Sequence, residues 1–333
     1  MKLKVNESYQ SKLNLLETQQ AIKEVKDFFE RNLANTLSLT RVSAPLFVQG
    51  DTGLNDNLSG NETPVTFETE DMKNLEIVHS LAKWKRKALK RYSFKTYTGL
   101  YTDMNAIRKH ETLSNIHSIY VDQWDWEKII LEEDRTDQML EAIVKDIYQV
   151  FKDTEQYINS KYTYLTKKLP DEIFFITAQE LYDLYPDLDD KGRENAITKK
   201  YKAVFVKQIG KKLSNGQPHD MRAPDYDDWE LNGDILFYQP ILDSSLELSS
   251  MGIRVSEETL IKQLKLSDTL DRLELEYHQD VLNKKLPYTV GGGIGQSRMC
   301  MFFLEKLHIG EVQSSIWSDE MVKVCEKHNI KLL

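Results

Sequence analysis

The stretch that decides the fold of this chain is Tyr288-Thr-Val-Gly-Gly-Gly-Ile-Gly-Gln-Ser-Arg298-Met-Cys-Met-Phe-Phe-Leu304. Its first residues are typical of a β-strand, and the apolar run that begins at Met299 predicts a helix. The glycines between them lack Cβ atoms, so a ligand or another backbone can approach closely. Arg298 falls in the first turn of the helix, where the helix dipole disfavours a cation unless an anion lies nearby. The pattern therefore predicts a phosphate-binding turn.

Two familiar glycine motifs fit this stretch poorly. A dinucleotide fingerprint counted from Gly293 would have its last glycine where Arg298 stands, and no Gly-Lys-Ser/Thr follows as a P-loop requires. On spacing alone, a tight glycine turn that carries an arginine by chance is an equally good interpretation. The choice depends on the rest of the chain.

The composition is that of a soluble globular protein, with 40% hydrophobic and 29% charged residues in a chain of 333. The net charge of −9 argues against a protein that coats nucleic acid, although one basic cleft remains possible. The first residues, from Met1 to Asn6, lack the apolar core of a signal peptide, and no run of about 18 apolar residues occurs, so we expect neither a secretory leader nor a membrane span. Cys300 and Cys325 match no metal or redox spacing, and Cys300 fits core packing. We therefore expect a cytoplasmic protein without membrane contact, and the absence of repeats and linkers predicts one domain over residues 1–333.

Hydrophobic periodicity predicts long amphipathic helices near Ser8–Leu33 and Thr136–Lys161 and a helix over Thr269–Asn283. An alternating strand is predicted over Leu37–Leu46, where Pro45 marks an edge or an interface. The following loop contains Asp56, which is a turn-former or a carboxylate aimed at an amine. The helical run His79–Arg91 is strongly basic, and Lys85 is the candidate within it for holding a carboxylate.

Period-two alternation in the run from His117 to Glu127 puts Gln123 and Asp125 on one strand face, as a strand that lines a substrate pocket would have them. A polar row facing solvent is the alternative, because Trp124 and Trp126 lie on the opposite face. Carboxylates for Mg²⁺ bound with substrate phosphates are available in the acidic loop of residues 222–234 and at Glu247. Glu247 lies on a predicted strand with Ser249 and Arg254, and these three side chains are expensive to bury without partners.

Three stretches together resemble the motifs of class II aminoacyl-tRNA synthetases. The N-terminal helix with the strand that ends at Pro45 resembles motif 1, the dimer interface in that class. Arg108-Lys-His-Glu111 with His117–Glu127 resembles motif 2, and Gly293–Arg298 with its helix resembles motif 3. The resemblance implies an α+β fold, a mostly antiparallel β-sheet flanked by helices, and a homodimer.

The chain more closely resembles the ammonia-dependent asparagine synthetase family of the A type, which keeps this core without a separate tRNA-binding domain. One departure is visible, because only Glu230 separates Trp229 from Leu231, a shorter loop than in some members; this puts in doubt a lid built there. The signatures that carry the resemblance are His79–Arg86, Tyr120–Glu127, Arg222–Trp229, Glu247–Val255 and Gly291–Arg298.

The family resemblance implies ATP-dependent amidation of L-aspartate with ammonia through a β-aspartyl adenylate, giving L-asparagine, AMP and pyrophosphate. Arg108 and Gln123 would act on the α-phosphate and the reacting carboxylate, and Asp56 or Asp227 would take a proton from ammonium. His79 and His117 are more plausible as structural hydrogen-bonding groups than as bases. Lys85, Ser80, Asp125, Ser250 and Arg254 would bind aspartate. Arg298, Glu247, Ser249, Asp234, Gly291, Gly292 and Gly293 would bind ATP, and Glu247 and Asp234 would hold Mg²⁺.

Two other functions remain open at this point. One is an aspartyl- or asparaginyl-tRNA synthetase-like paralogue, which the acidic composition disfavours. The other is a non-catalytic module that senses an amino acid. Loss of Arg108, Glu247 or Arg298 would favour the sensing module, and all three residues are present. A fold carries chemistry only by analogy, so these residues decide the expectation.

Overall fold

The centre of the chain is an eight-stranded β-sheet, seen in a computed structural model that describes residues 3–56, 58 and 62–333. A separate three-stranded sheet lies beside it. In chain order the strands are β1 (Leu39–Arg41), β2 (Phe47–Gln49), β3 (Thr66–Phe67), β4 (Leu75–Ile77), β5 (Gly99–Ile107), β6 (Tyr120–Ile129), β7 (Phe174–Thr177), β8 (Ala203–Lys207), β9 (Asp227–Gln239), β10 (Ser244–Arg254) and β11 (Thr289–Gly295).

The strand order of the large sheet is β1-β5-β6-β11-β10-β9-β8-β7. Its inner pairs are antiparallel, and the two outermost pairs, β1 with β5 and β7 with β8, are parallel. The prediction of a mostly antiparallel sheet is therefore confirmed in part, because the sheet also contains these two parallel pairs. Helices flank the sheet: α1 (Leu15–Leu37), α2 (Ala82–Arg91), α3 (Asp137–Lys161), α4 (Ala178–Leu184), α5 (Asp190–Tyr201), α6 (Glu257–Leu266), α7 (Glu276–Leu282), α8 (Gln296–Phe303) and α9 (Asp319–Lys327).

Helix α1 begins later and ends later than its hydrophobic stripe predicts. Asn14 accepts a hydrogen bond from the Glu17 amide, and the Glu17 side chain accepts one from the Asn14 amide, so a capping box fixes the start. Ser38, in a left-handed conformation, ends the helix. Helix α3 has the predicted bounds, because Thr136 caps it through the Met139 amide.

The main hydrophobic core lies between one face of the large sheet and helices α1, α3 and α8. Phe29 of α1 stacks on Trp124 with ring centroids 5.3 Å apart, and Phe151 of α3 meets Phe237 edge-on at 5.0 Å. Trp124 and Trp126 are buried in this core. Side chains of a strand alternate between its two faces. Since Trp124 and Trp126 of β6 face the core, Gln123 and Asp125 face the opposite side of the sheet.

Several predicted elements differ from the observed ones. The glycines do not form a turn but continue strand β11, and Asp227–Asp234 belongs to strand β9 rather than to a loop. Propensity disfavours glycine and aspartate in strands, yet the neighbouring strands on both sides hold these segments extended. The predicted helix over Thr269–Asn283 is divided into a 3₁₀ turn, Leu270–Glu274, and α7. Only Leu39–Arg41 of the predicted strand Leu37–Leu46 is paired.

No helix among the described residues is long and apolar enough to cross a lipid bilayer.

Candidate active site

A cavity of about 350 Å³ opens on the face of the sheet opposite the main core. Strands β6, β10 and β11 form its floor, and α2 and the segments that precede β6 and β9 contribute side chains to its walls. Most of the predicted site residues meet there although they are far apart in sequence. Those that line the cavity are Asp56, Ser80, Lys85, Arg108, Gln123, Asp125, Asp227, Glu247, Ser250, Arg254, Gly292, Gly293 and Arg298.

One side of the cavity is built from ionic side chains of alternating charge, which we call the ion-pair wall. Its members, in spatial order, are Arg222, Asp227, Arg254, Glu127, Lys85 and Asp125. Asp227 is shared between Arg222, at 3.3 Å, and Arg254. Charges this deeply buried need such partners, because removing them from water is expensive.

Lys85 completes the ion-pair wall from helix α2. Its Nζ lies 3.3 Å from Asp125 and 3.8 Å from Glu127, and it donates hydrogen bonds to the carbonyl oxygens of Trp126 and Gly292. Burial lowers the pKa of Lys85, while Asp125 and Glu127 oppose that shift. The side chain is 1% exposed, so the backbone and both carboxylates hold it in one position at the cavity edge.

The glycines of β11 make room for the side chains of its neighbours. A Cβ atom on Gly293 would overlap the side chain of Gln123 and approach Asp125 Oδ1 to 2.8 Å. A Cβ atom on Gly291 would overlap the carboxylate of Glu127 and lie 2.6 Å from Arg254 Nη2. Gly291 does not line the cavity. Its part in ATP binding stays a prediction, and the structure gives the glycine a structural reason, which is space for the Glu127–Arg254 ion pair.

The first turn of α8 meets two carboxylates. Asp122 accepts hydrogen bonds from the backbone amide of Ser297 at 3.1 Å and from its hydroxyl at 2.8 Å, so it compensates the helix dipole. Arg298 Nη1 lies 3.3 Å from Glu247 Oε2. The anion that the sequence pattern required at this turn is thus partly supplied by the protein itself. Arg298 still lines the cavity.

Arg108 is the first residue after strand β5 and carries a buried Nε without a hydrogen-bond partner among the described residues. A buried, unpartnered donor is uncommon in a native structure and marks a place where a ligand oxygen can bind. Gln123, paired with Met104 across β5 and β6, lines the same cavity. Both groups are suited to a carboxylate or phosphate oxygen.

Glu247 and Asp234 form an acidic pair at the far end of the cavity. Burial and the charge of Glu247 raise the pKa of Asp234 well above its usual range. Burial opposes ionisation of Glu247, but Arg298 and Arg222 lower its pKa. Asp234 Oδ1 is buried without a hydrogen-bond partner in the described part of the chain. An oxygen-only pair with an unsatisfied carboxylate fits Mg²⁺.

Two predicted ATP ligands, Asp234 of this pair and the neighbouring Ser249, do not line the cavity. Asp234 lies beneath the lining, opposite Ser250 in the β9–β10 register. Ser249 is buried and faces Ile235 and Ile294 in the neighbouring strands, because a bulge between Glu247 and Ser249 shifts the alternation. In residues 3–56, 58 and 62–333, no group of three or more His, Cys, Asp or Glu residues has metal-binding geometry.

Asp56 differs from Asp227 in its surroundings. Burial raises the pKa of Asp56 to about 6, and its Oδ2 has no hydrogen-bond partner among the described residues. Both oxygens of Asp227 are instead bound by arginines. Of the two predicted proton acceptors, only Asp56 has an oxygen available.

His79 and His117 make the structural hydrogen bonds that were predicted for them. His79 Nδ1 donates to the carbonyl oxygen of Asp56 at 3.0 Å, and burial lowers its pKa. His117 Nδ1 lies 2.8 Å from the Ser114 hydroxyl. Burial, together with the charge of Arg298, lowers the pKa of His117 to about 4, so its ring is neutral near pH 7.

Sequence reasoning missed several residues that organise the site. Glu127 continues the alternation of Gln123 and Asp125, and that signal was available. Asp122 lies on the aromatic face of β6, where a buried carboxylate requires partners, but its partner Ser297 is distant in sequence. Arg222 and Asp225 belong to a quoted signature, yet no spacing rule assigns them ion pairs with Asp227 and Lys83.

A family model described as aspartate-ammonia ligase matches residues 16–329. The chain is 61% identical over 334 residues to an aspartate–ammonia ligase of Clostridium tetani, covering 100% of this chain and 98% of the relative. It is 62% identical over 326 residues to an aspartate–ammonia ligase of Fusobacterium nucleatum, covering 98% and 100% of the two chains.

Among solved structures, the chain resembles the asparaginyl-tRNA synthetase of Entamoeba histolytica in complex with asparaginyl-adenylate. The TM-score is 0.64 at 14% identity, and the match covers 90% of this chain and 66% of the synthetase. The chain thus spans about two thirds of the length of that synthetase. This likeness is one of fold, and it agrees with the predicted synthetase-like core.

Proposed function

This chain belongs to the aspartate–ammonia ligase family, and we propose that its cavity is where L-aspartate, ATP and ammonia become L-asparagine, AMP and pyrophosphate. The observation that carries the proposal is the meeting of two kinds of group in one cavity. The ion-pair wall suits a small zwitterion, and Arg108, Arg298 and the acidic pair suit a nucleotide with its metal ion.

Aspartate binding is assigned to side chains of the ion-pair wall that line the cavity. Lys85 and Arg254 present positive charge for carboxylate groups, and Asp125 presents negative charge for the amino group. Ser80 and Ser250 line the same part of the cavity, and the Ser250 hydroxyl is buried without a partner among the described residues. Since the wall is rigidly paired before any ligand binds, little ordering is required on binding.

The first reaction step joins the β-carboxylate of aspartate to the α-phosphorus of ATP and releases pyrophosphate. A carboxylate approaching a phosphate meets charge repulsion, so cations are required on both partners. Arg108 and Gln123 bind the reacting oxygens, and Arg298 binds the nucleotide. Positioned guanidinium groups stabilise the charge that develops at phosphorus, because they need no reorganisation during the reaction.

Glu247 and Asp234 are the groups that hold Mg²⁺ in this proposal. The ion neutralises charge on the phosphate oxygens when bound. Asp234 Oδ1, buried and unpartnered within the described residues, supports this assignment. Arg298 lies 3.3 Å from Glu247 and orients that carboxylate.

The second step is attack of ammonia on the β-carbonyl carbon of the adenylate. The Asp56 carboxylate takes the proton that ammonium must lose to become ammonia, and ammonia then forms the C–N bond. The attacking nitrogen gives up a second proton to the departing phosphate group as the C–O bond to AMP breaks. Asp56 suits this role because its pKa of about 6 lies near the working pH and Oδ2 has no partner among the described residues. Asp227 remains a fixed partner of Arg222 and Arg254.

A homodimer and a cytoplasmic location are also part of the proposal. A homodimer through the motif 1 region is supported by β1 being an edge strand and by Leu46 and Phe47, which are 50% and 41% exposed. A cytoplasmic location is supported by two free thiols. The net charge of −9 favours small-molecule substrates over nucleic acid. We also propose that residues 1–333 form one catalytic domain.

Exchange of pyrophosphate into ATP tests the first step. Purified protein with ATP, Mg²⁺ and aspartate, without ammonium or tRNA, is expected to exchange labelled pyrophosphate into ATP. Exchange that needs no aspartate, or that needs tRNA, would overturn the proposal.

A further inference from the structure

Glu127 is a wholly buried member of the ion-pair wall that lies behind the cavity lining, and it is not among the side chains assigned above as direct ligands of aspartate. It lies on β6, where its residue pairs with Gly291 of β11. Its oxygens accept hydrogen bonds from Arg254 Nε at 2.9 Å, from Arg254 Nη2 at 2.7 Å and from Thr289 Oγ1 at 2.7 Å. Its side chain is 0% exposed. An acid so deeply buried is expensive unless it organises its neighbours.

The neighbours of Glu127 are the two cations of the ion-pair wall. Lys85 Nζ lies 3.8 Å from Glu127 Oε2, the same oxygen that Arg254 Nη2 contacts. Without an anion between them, Lys85 and Arg254 would repel each other in a site with little water. Burial would raise the pKa of Glu127, but Arg254, Lys85 and Thr289 lower it, so the carboxylate is ionised.

We propose that Glu127 is a positioning residue for aspartate recognition, which holds Lys85 and Arg254 side by side so that both cations face the amino acid. The inference rests on the proposed function, because it takes Lys85 and Arg254 as ligands of aspartate. Glu127 itself contacts no substrate. Its removal therefore weakens the binding of aspartate and leaves the binding of ATP unchanged.

Gly291 is the second component of this arrangement. Its missing side chain leaves the space in which Glu127 and Arg254 meet, and an alanine there would overlap the Glu127 carboxylate. Gly291→Ala therefore disturbs the ion pair while every charge is retained. This variant separates the geometry of the pair from its charge.

The test measures KM for aspartate and for ATP in pyrophosphate exchange, together with the rise in melting temperature that aspartate alone produces. For Glu127→Gln and Gly291→Ala we expect KM for aspartate to rise at least about 10-fold, equivalent to about 1.4 kcal/mol, with KM for ATP within about 2-fold. Glu127→Asp keeps the charge and is expected to recover part of the loss.

The matched control is Glu305→Gln. Glu305 is another buried carboxylate between two lysines, 2.6 Å from Lys12 and 3.5 Å from Lys168, and it does not line the cavity. This variant is expected to lose stability with both KM values unchanged.

The outcomes distinguish the inference from the function on which it rests. If wild-type protein neither exchanges pyrophosphate nor is stabilised by aspartate, the proposed function is wrong. If wild-type protein does both, and Glu127→Gln or Gly291→Ala folds with an unchanged KM for aspartate, the positioning role is wrong. Equal rises in the KM values for aspartate and ATP would also overturn it. Should Glu127→Gln fail to fold, the KM values for aspartate of Gly291→Ala and Glu127→Asp decide whether the positioning role is correct.

Discussion

The ion-pair wall and the unpaired groups of the same cavity differ in how their charges are satisfied. In the wall, each charged side chain meets an opposite charge within the protein. Arg108, Asp56 and Asp234 each have a buried polar atom without a partner among the described residues. The comparison indicates that the paired charges of the wall meet a substrate in a geometry that the protein has already fixed, whereas the unpaired groups have polar atoms that only a ligand can satisfy. Variants of the wall should therefore lose stability as well as aspartate binding, and variants of the unpaired groups should lose activity without losing stability.

The largest effect is expected at Arg108. Arg108→Ala should lower aspartate-dependent pyrophosphate exchange by at least about 10³-fold, because it removes the charge that the reacting oxygens require. Its unfolding free energy should change by less than about 1 kcal/mol, since Nε has no protein partner to lose in the described structure. Lys109→Ala, an exposed neighbour that donates to the Pro64 carbonyl, is the control and should retain activity. Full exchange by Arg108→Ala would contradict the assignment.

Asp56→Asn should separate the two reaction steps. Asparagine formation should fall about 10²-fold, as for the loss of a general base, while pyrophosphate exchange persists. The wild-type rate, at a fixed concentration of ammonium, should rise with pH through about 6, because Asp56 must be ionised to accept a proton from ammonium.

The free energy of unfolding gives a second measure of the ionisation of Asp56. A raised pKa means that ionising Asp56 disfavours the folded state, so its favourable contribution below pH 4 is lost as the pH rises through about 6. Asp56→Asn should be more stable than wild type at pH 7, by up to about 3 kcal/mol. Asp227→Asn, in the wall, should lose about 3–5 kcal/mol. The reverse order of stabilities would refute the distinction between the two regions.

A smaller effect is expected at the acidic pair. Asp234→Asn should raise the Mg²⁺ concentration for half-maximal activity about 10-fold. Titration of activity with Mg²⁺ measures the change. Asp243→Asn alters an exposed carboxylate that pairs with Lys199 at the end of the same hairpin, and it should leave the requirement unchanged. An unaltered requirement in Asp234→Asn would remove Asp234 from the metal site.

The smallest effect is expected at His117. Its pKa of about 4 keeps the ring neutral across the working range, so it cannot account for a pH dependence near 6. His117→Asn should change the rate less than about 3-fold and leave the pH profile where it was. A profile displaced by this substitution would make His117, and not Asp56, the titrating group.

Local patterns allowed part of this structure to be predicted. Alternation in β6 correctly put Gln123 and Asp125 on the cavity face, because two buried tryptophans fix the register of the strand. The glycine strand could not be recognised in this way. Glycine is depleted from strands, and β11 is held extended by neighbours that come from distant parts of the chain.

The pairing of charges was also beyond local patterns. Arg254 and Glu127 are 127 residues apart, and neither residue type indicates its partner. The sequence offered Asp56 and Asp227 as equivalent proton acceptors, and only the arginines around Asp227 distinguish them. Which carboxylate is unpaired is a property of tertiary structure.

The most direct test of the account is the product assay. Purified protein is supplied with ATP, Mg²⁺, L-aspartate and ammonium, and the products are identified and quantified. We expect asparagine, AMP and pyrophosphate in equal amounts with no tRNA present. Formation of ADP, a requirement for tRNA, or the absence of asparagine would contradict it.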